Sequence, residues 1–300
     1  MLTRRTWIEG AAMQVGARSL RYEVWDVFTN RPFGGNPLGV FFEADGLSAE
    51  QMFAITREMN HSETTFVTKD LKVRIFTATQ ELPFAGHPVL GTAFALHRRQ
   101  PGLKRVVVNV PQGPIPVDFE GETGMMLQQD PEFREIHEAS EIAPMLGLKV
   151  DDLVSGLPIQ NVSTGRPNLI VMLKTMEAMK RVKVDWGALL PYFAKGDVQR
   201  GIYLLTKDVL VKGSLVHARK LTPRVEDPAT GSAAGCAAAY LAKYGLAGSG
   251  ATVRMEQGHL MGRPSELLLS ATRKADGAVG QVRVGGSSVL VLEGSVNRLA

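Results

Sequence analysis

The chain has 300 residues, 44 % hydrophobic and 21 % charged, with a formal net charge of +4. That length accommodates two domains with a core each, and no apolar run approaches the roughly 18 residues of a membrane span, so neither a membrane protein nor a disordered one is expected. The densest basic cluster, Arg98, Arg99, Lys104 and Arg105, contains no aromatic residue to stack on a base, so no nucleic-acid partner is expected and the cluster reads as a solvated face.

Residues 1–20 carry Arg4, Arg5 and Arg18 but place Glu9 and Gln14 where a secretory signal needs an apolar core. They read as a loose extension, with Met13 as a candidate start and a targeting role as the alternative. Short runs rich in β-branched and aromatic residues then predict strands at 22–28, 39–42, 64–67, 73–77, 105–110, 115–119 and 125–128. Two helices interrupt them: 49–59, which Ser48 and Gln51 can open as a capping box, and one beginning near Pro88. This is a sheet with a helix inside it, not a βαβ alternation. The polar stretch 128–138 reads as a linker. Strands are expected again near 169–173, 201–207, 214–221, 251–257, 266–272 and 280–284, with a long helix over 231–244 and a last strand at 288–293. Cys236 is the lone cysteine, so no disulfide can form within the chain, which points to a reducing cytoplasm.

The predicted fold class is α+β: two pseudo-symmetric lobes, each a curved, mainly antiparallel sheet wrapped round a central helix. The first lobe is assigned residues 21–128, completed by 287–300 if the last strand returns to it, and the second 129–286. The symmetry rests on two matching stretches half a chain apart, Glu81-Leu82-Pro83-Phe84-Ala85-Gly86-His87 and Glu226-Asp227-Pro228-Ala229-Thr230-Gly231-Ser232, which share Glu-x-Pro-x-x-Gly. After each comes a helix that is small and apolar on all sides and must be buried all round. A helix N-terminus offers unpaired N–H groups and the positive pole of the dipole, which favour a carboxylate. Two such ends facing across a cleft would grip one small acid.

Glu63, His87 and Asp227 fall where that cleft is expected. Proton transfer at carbon needs a base, a sink for the developing charge and exclusion of water. A carboxyl in a closed apolar cleft is moved toward neutral pH by desolvation, which suits it to accept and return a proton. Taken singly, each residue has a plainer reading: Glu63 as a solvent-facing acid, His87 as a donor fastening its turn, Asp227 as a cap before proline. Glu81 and Glu226 read as braces for their turns. His61, His97, His137, His217 and His259 show no metal-ligand spacing, and one cysteine makes no zinc site. Met125, Met126, Met255 and Met261 read as core filling. The Phe33–Gly39 glycines match neither a phosphate loop nor a dinucleotide fingerprint, and no nucleophile elbow is present.

The order Asp26-Val27-Phe28-Thr29, Gly34-Gly35-Asn36-Pro37, Ser62-Glu63-Thr64, the two turns, Gln257-Gly258 and Gly262-Arg263-Pro264-Ser265 resembles the PhzF-like family of phenazine-biosynthesis isomerases over nearly all of the chain from Arg21 onward. The resemblance implies the two-lobed fold of diaminopimelate epimerase and an isomerase of the type that moves a hydrogen between ring carbons of trans-2,3-dihydro-3-hydroxyanthranilate. It implies Glu63 as acid/base, His87 and Asp227 beside the substrate, and N–H groups around Gly86, His87, Gly231 and Ser232 on its carboxylate. It further implies no cofactor and a homodimer. One departure stands out. Relatives often carry Arg-x-Phe-x-Pro and a glycine-containing loop before Glu-Asp-Pro, whereas Arg219-Lys220-Leu221-Thr222-Pro223 runs directly into Arg224-Val225-Glu226, so the pocket wall is expected to differ.

The leading expectation is a cofactor-independent isomerase working by proton transfer on a small cyclic or unsaturated carboxylate. An amino-acid racemase or epimerase of the two-thiol type needs a cysteine at each turn, where this chain has Ala85-Gly86-His87 and Thr230-Gly231-Ser232. A carboxylate-binding protein without turnover is the remaining alternative; it gains nothing from an extra buried acid.

Overall fold

The computed structural model describes residues 19–194 and 201–297. The reading of residues 1–18 as an extension lies outside them. Among the described residues no helix is long and apolar enough to cross a membrane.

Two sheets carry the architecture. The first runs in the order Ser288–Val296, Leu20–Val27, Asn36–Phe42, Glu63–Val67, Val73–Phe76 and Glu81–Leu82. It is antiparallel except where Asn36–Phe42 lies parallel to Glu63–Val67. A parallel pair needs a crossover, and the Ala49–Met59 helix supplies it, opened by the complete Ser48/Gln51 capping box and closed by Asn60 at φ 51°. The second sheet begins with Arg105–Val110, Gly113–Glu120 and Thr123–Leu127, passes to Val279–Gly286, Ser265–Arg273, Val253–Gln257 and Val216–Leu221, and ends with Ile202–Thr206, Pro167–Leu173, Ile159–Ser163 and Glu132–His137. Its parallel pairs are Pro167–Leu173 with Ile202–Thr206 and Val216–Leu221 with Val253–Gln257.

Hydrogen bonding assigns 105–127 to the second sheet, but packing folds these strands over the first lobe's helix. Phe119 meets Phe94 edge-on at 5.0 Å, and Lys72 bridges to Asn109 in parallel. The sheet is therefore continuous between lobes while each helix keeps its own wrapping.

Both central helices are buried as their composition requires. Gly86–Arg99 is buried without a break from Gly86 to Ala95, and Gly231–Lys243 from Ala233 to Ala242. Small residues set the approach: a Cβ on Gly91 would lie 2.6 Å from Leu38 Cδ2, inside contact distance. The two helix N-termini meet. A Cβ on Gly86 would stand 3.0 Å from Ser232 N and 3.1 Å from Gly231 Cα, so glycine is what allows the ends to converge.

The structure corrects several local expectations. Within the stretch read as a linker, Glu132–His137 is a strand on the far edge of the second sheet, where its charges face water and discourage further pairing. Ile159–Ser163 is a strand whose buried Gln160, Asn161 and Ser163 hide the apolar signature. Ala139–Met145, Met176–Arg181 and Trp186–Phe193 are short helices, two of them containing a proline, and they share a separate apolar cluster outside the second lobe. Met261 is exposed rather than core, while Met126 and Met255 are fully buried.

Candidate active site

A cleft of about 680 Å³ opens where the two helix N-termini meet. Each end is presented by the same construction. In the first lobe Arg74 donates to both oxygens of Glu81 at 2.7 Å; in the second Arg219 donates to both oxygens of Glu226 at 2.9 and 2.8 Å. Thr77 Oγ1 donates to the Gln80 carbonyl at 3.0 Å, and Thr222 Oγ1 to the Val225 carbonyl at 2.8 Å. The internal repeat is thus longer than the sequence reading saw, Arg-x-x-Thr-x-x-x-Glu-x-Pro-x-x-Gly in both halves. Glu81 and Glu226 brace the turns by bidentate pairing. Neither Ala85 nor Thr230 caps its helix with a side chain, which leaves first-turn N–H groups for an anion.

The three residues expected to carry chemistry come together. Glu63 opens the parallel strand of the first sheet with a side chain 18 % exposed, and its Oε2 lies 3.6 Å from Nδ1 of His87, itself 5 % exposed. Burial holds the Glu63 carboxyl above the usual carboxylate range, opposed by a hydrogen bond from Ser62 and the Arg166 charge. Burial likewise pushes His87 down to about 4, so the imidazole is neutral at pH 7. Asp227 is raised to about 6, first by burial and then by the like charge of Glu63. Its oxygens accept from Asn36 Nδ2 at 2.7 Å and Thr230 Oγ1 at 2.6 Å. Asn36 also donates to the Ala229 carbonyl at 2.9 Å. Two amide protons are then committed, so its 3.4 Å contact with His87 Nδ1 adds little and leaves that nitrogen facing Glu63. Among the described residues His87 Nε2 has no hydrogen-bond partner.

Other functional positions escaped the sequence reading. Gln257 Nε2 donates to the Asp227 carbonyl at 2.7 Å and to Thr230 Oγ1 at 3.1 Å, while Tyr203 holds its Oε1 at 2.8 Å. Gly258, at φ 77°, passes so close to the Pro228 carbonyl that a Cβ would sit 2.6 Å from the oxygen. Arg263 ties the lobes, donating to the Gly34 and Gly35 carbonyls and to Asp26 at 2.7 Å. His61, its imidazole pushed down by burial, lines the cleft with Arg166 and Lys220. The motif pairs quoted above contained Gln257 and Arg263, but only the long-range contacts reveal what they do. Cys236 is fully buried and burial pushes its thiol up, which leaves no second thiol for a racemase.

Away from the cleft, His217, Glu256 and His259 approach one another with ligand atoms within 4.8 Å, a cluster that linear spacing concealed. The Glu256 carboxylate already accepts from Leu210 N at 2.6 Å, Val211 N at 2.8 Å and His217 Nδ1 at 2.8 Å. It anchors the 210–211 turn.

A family model described as phenazine biosynthesis-like protein matches residues 25–294. The trans-2,3-dihydro-3-hydroxyanthranilate isomerase of Pseudomonas chlororaphis is 35 % identical over 288 residues, covering 92 % of this chain and 98 % of its own. The crystal structure of a PhzF-family phenazine biosynthesis protein from Bacillus anthracis matches with a TM-score of 0.84 at 28 % identity, over 93 % of this chain and 99 % of its own. A probable proline racemase from Agrobacterium radiobacter, 9 % identical with a TM-score of 0.58, shares the fold alone.

Proposed function

The chain belongs to the phenazine biosynthesis-like (PhzC-PhzF) family, an isomerase family, and from that premise we propose that it isomerises a small cyclic or unsaturated carboxylate by proton transfer through Glu63, without a cofactor. The observation that carries the reading is a carboxyl whose proton affinity burial raises, in the same cleft as two helix N-termini without side-chain caps.

The substrate carboxylate would lie against the N–H groups around Gly86, His87, Gly231 and Ser232, where the dipoles of two helices add. That clamp fixes the ring over Glu63. Ionised Glu63 takes a proton from carbon, the C–H electron pair moves into the adjacent π-system, the double bond shifts, and the Glu63 carboxyl returns a proton, the original one or one exchanged with solvent, at the far carbon of that system. Atoms and electrons balance within one substrate, so no oxidant or reductant enters. His87 is neutral at working pH and can pass a proton between Glu63 and substrate without carrying net charge. Asp227, held by Asn36 and Thr230, stands beside the pair with its carboxyl raised to about 6 while the His87 imidazole is lowered to about 4. Separated affinities within one site are the signature of divided acid and base roles.

Trans-2,3-dihydro-3-hydroxyanthranilate, which the curated relative's name identifies as that enzyme's substrate, is the first compound to try. Incubation in heavy water with this acid and a panel of unsaturated carboxylates should place deuterium on a ring or vinylic carbon, or yield rearranged product, with wild type and not with Glu63→Gln. If neither label nor product arises from any compound that binds, the site reduces to a carboxylate-binding cleft.

A further inference from the structure

The repeat shows what the fold requires at each position, and at two positions in the cleft the second lobe departs from it. Arg74-Ile75-Phe76-Thr77 corresponds to Arg219-Lys220-Leu221-Thr222, with matching pairs to the short strands of each turn. Ile75 is fully buried in the core. Its counterpart Lys220 is 7 % exposed and lines the cleft. Likewise Gly35-Asn36-Pro37 and Gly165-Arg166-Pro167 each open the strand parallel to its lobe's central strand. Asn36 is spent on Asp227 and Ala229. Arg166 lines the same cleft.

Neither cation has an ion-pair partner among the described residues, although Asp227 attracts the ammonium from a distance and the Arg166 charge acts on Glu63. Among the described residues the Lys220 ammonium donates only to Asn168 Oδ1, and no carboxylate lies within ion-pair distance of it. No hydrogen bond or ion pair from the Arg166 guanidinium to another described residue exists either. Burial lowers the Lys220 ammonium to about 8, Cys236 and Asp227 pull it partly back up, and the like charge of Arg166 adds to the lowering. A buried ammonium with no ion-pair partner, where the other lobe places isoleucine, carries a desolvation cost that a bound anion would offset. Asn168, which holds Lys220, is itself bound to Cys236 Sγ at 3.6 Å and the Arg166 carbonyl at 3.1 Å, so the ammonium is built in place rather than trailing in solvent.

We propose that Arg166 and Lys220 form a second anion subsite, so that the natural substrate carries a further acidic group besides the carboxylate held at the helix ends. This rests on the isomerase reading of the cleft and narrows its substrate class to dianionic acids. The helix ends take the first carboxylate; the guanidinium and ammonium, with donors left over, take the second. An acid bearing an ammonium at that place is disfavoured by the same two charges.

Titration calorimetry at fixed ionic strength with benzoate and the three benzenedicarboxylates tests this, because the isomers sample different positions for the second acid and none can turn over. At least one dicarboxylate should bind wild type about tenfold or more tightly than benzoate, and Lys220→Met and Arg166→Met should each remove most of that preference, the loss expected when one partner of a buried charge pair is truncated. Benzoate binding should persist in both variants, which also certifies that they fold. Absence of any dicarboxylate preference in wild type, or its survival in the double variant, overturns the subsite. The heavy-water and product assay on wild type separates the two ideas: neither label nor product, with dicarboxylate preference intact, removes the isomerase reading and leaves the subsite, whereas turnover of mono-acids without any dicarboxylate preference does the reverse.

Discussion

Replacing Asp227 by asparagine should make the protein more stable and less active. Burial and the Glu63 charge hold this carboxyl at about 6, against 3.8 unperturbed. Between those values the folded chain keeps a proton that the unfolded chain has released, so stability falls as pH rises across the window and the penalty is complete above it. At about 1.36 kcal/mol per pH unit the ionised group costs up to about 3 kcal/mol at pH 7. This is an upper bound, since the side chain is only partly buried and faces cleft water. Asparagine removes the charge and keeps the bonding, with its oxygen accepting from Asn36 and its amide donating to Thr230 Oγ1. Thermal melts from pH 4 to 8 should show the variant gaining up to about 5–10 °C at neutral pH, with the two curves converging below pH 4. Turnover should drop about a hundredfold or more if Asp227 assists proton movement. A variant no more stable than wild type at pH 7, or an advantage that does not shrink toward pH 4, would refute the claim that the cleft holds this carboxylate against its charge.

Gly86→Ala should place a methyl 3.0 Å from Ser232 N, forcing the helix ends apart at a cost of about 1–3 kcal/mol; denaturant titration and a rise in KM check it together. Lys220→Met should stabilise the protein by up to about 3 kcal/mol below pH 8, because lysine is held at about 8 against 10.5. Between those values the unfolded chain binds the extra proton, so wild-type stability rises with pH and the variant's advantage should vanish above pH 10.5. Activity should fall as pH drops through about 6, where Asp227 takes up its proton beside a Glu63 carboxyl that burial also holds above the usual range. No limb should come from His87 above pH 5, since it is already neutral there; an inflection lost in a His87 variant would contradict this. By family analogy the protein is proposed to be a homodimer, and a monomer mass by light scattering at micromolar concentration would reject that.

What could be read in advance was whatever the chain states locally. The capping box at Ser48, the burial of both central helices and the turns that open them are written in contiguous residues. The linker expectation failed at Glu132–His137 because an edge strand with charged outward positions has the composition of a loop. The three short helices of the second lobe lack enough turns to display a period, and Pro144 and Pro191 argue against helix when read alone. At the site, Glu63, His87 and Asp227 were legible as types near glycine-led turns. Asn36, Gln257 and Arg263 were not legible as partners, because their bonds span much of the chain. The longer repeat was present in the sequence, but Arg74 and Arg219 gained meaning only once each was seen to clasp the glutamate of its own turn.

The two halves separate architecture from chemistry. Where they agree, in the arginine–glutamate clasps, the threonine turns and the glycines at the helix ends, the residues hold two N-termini face to face. Where they differ, the cleft acquires its reactive groups: Leu82 against Asp227, His87 against Ser232, Asn36 against Arg166 and Ile75 against Lys220. Glu63 follows the same rule. It heads the strand in which Phe66 pairs with Arg74, and Gly201 holds the equivalent place ahead of the strand in which Leu204 pairs with Arg219. A Cβ on Gly201 would come within 2.7 Å of Lys220 Nζ. One lobe therefore offers a carboxyl at this position, and the other empties it to admit an ammonium. A symmetric scaffold would bind a symmetric anion and do nothing to it; a base on one wall and cations on the other give the cleft a direction, which a reaction that moves a proton from one carbon to another requires.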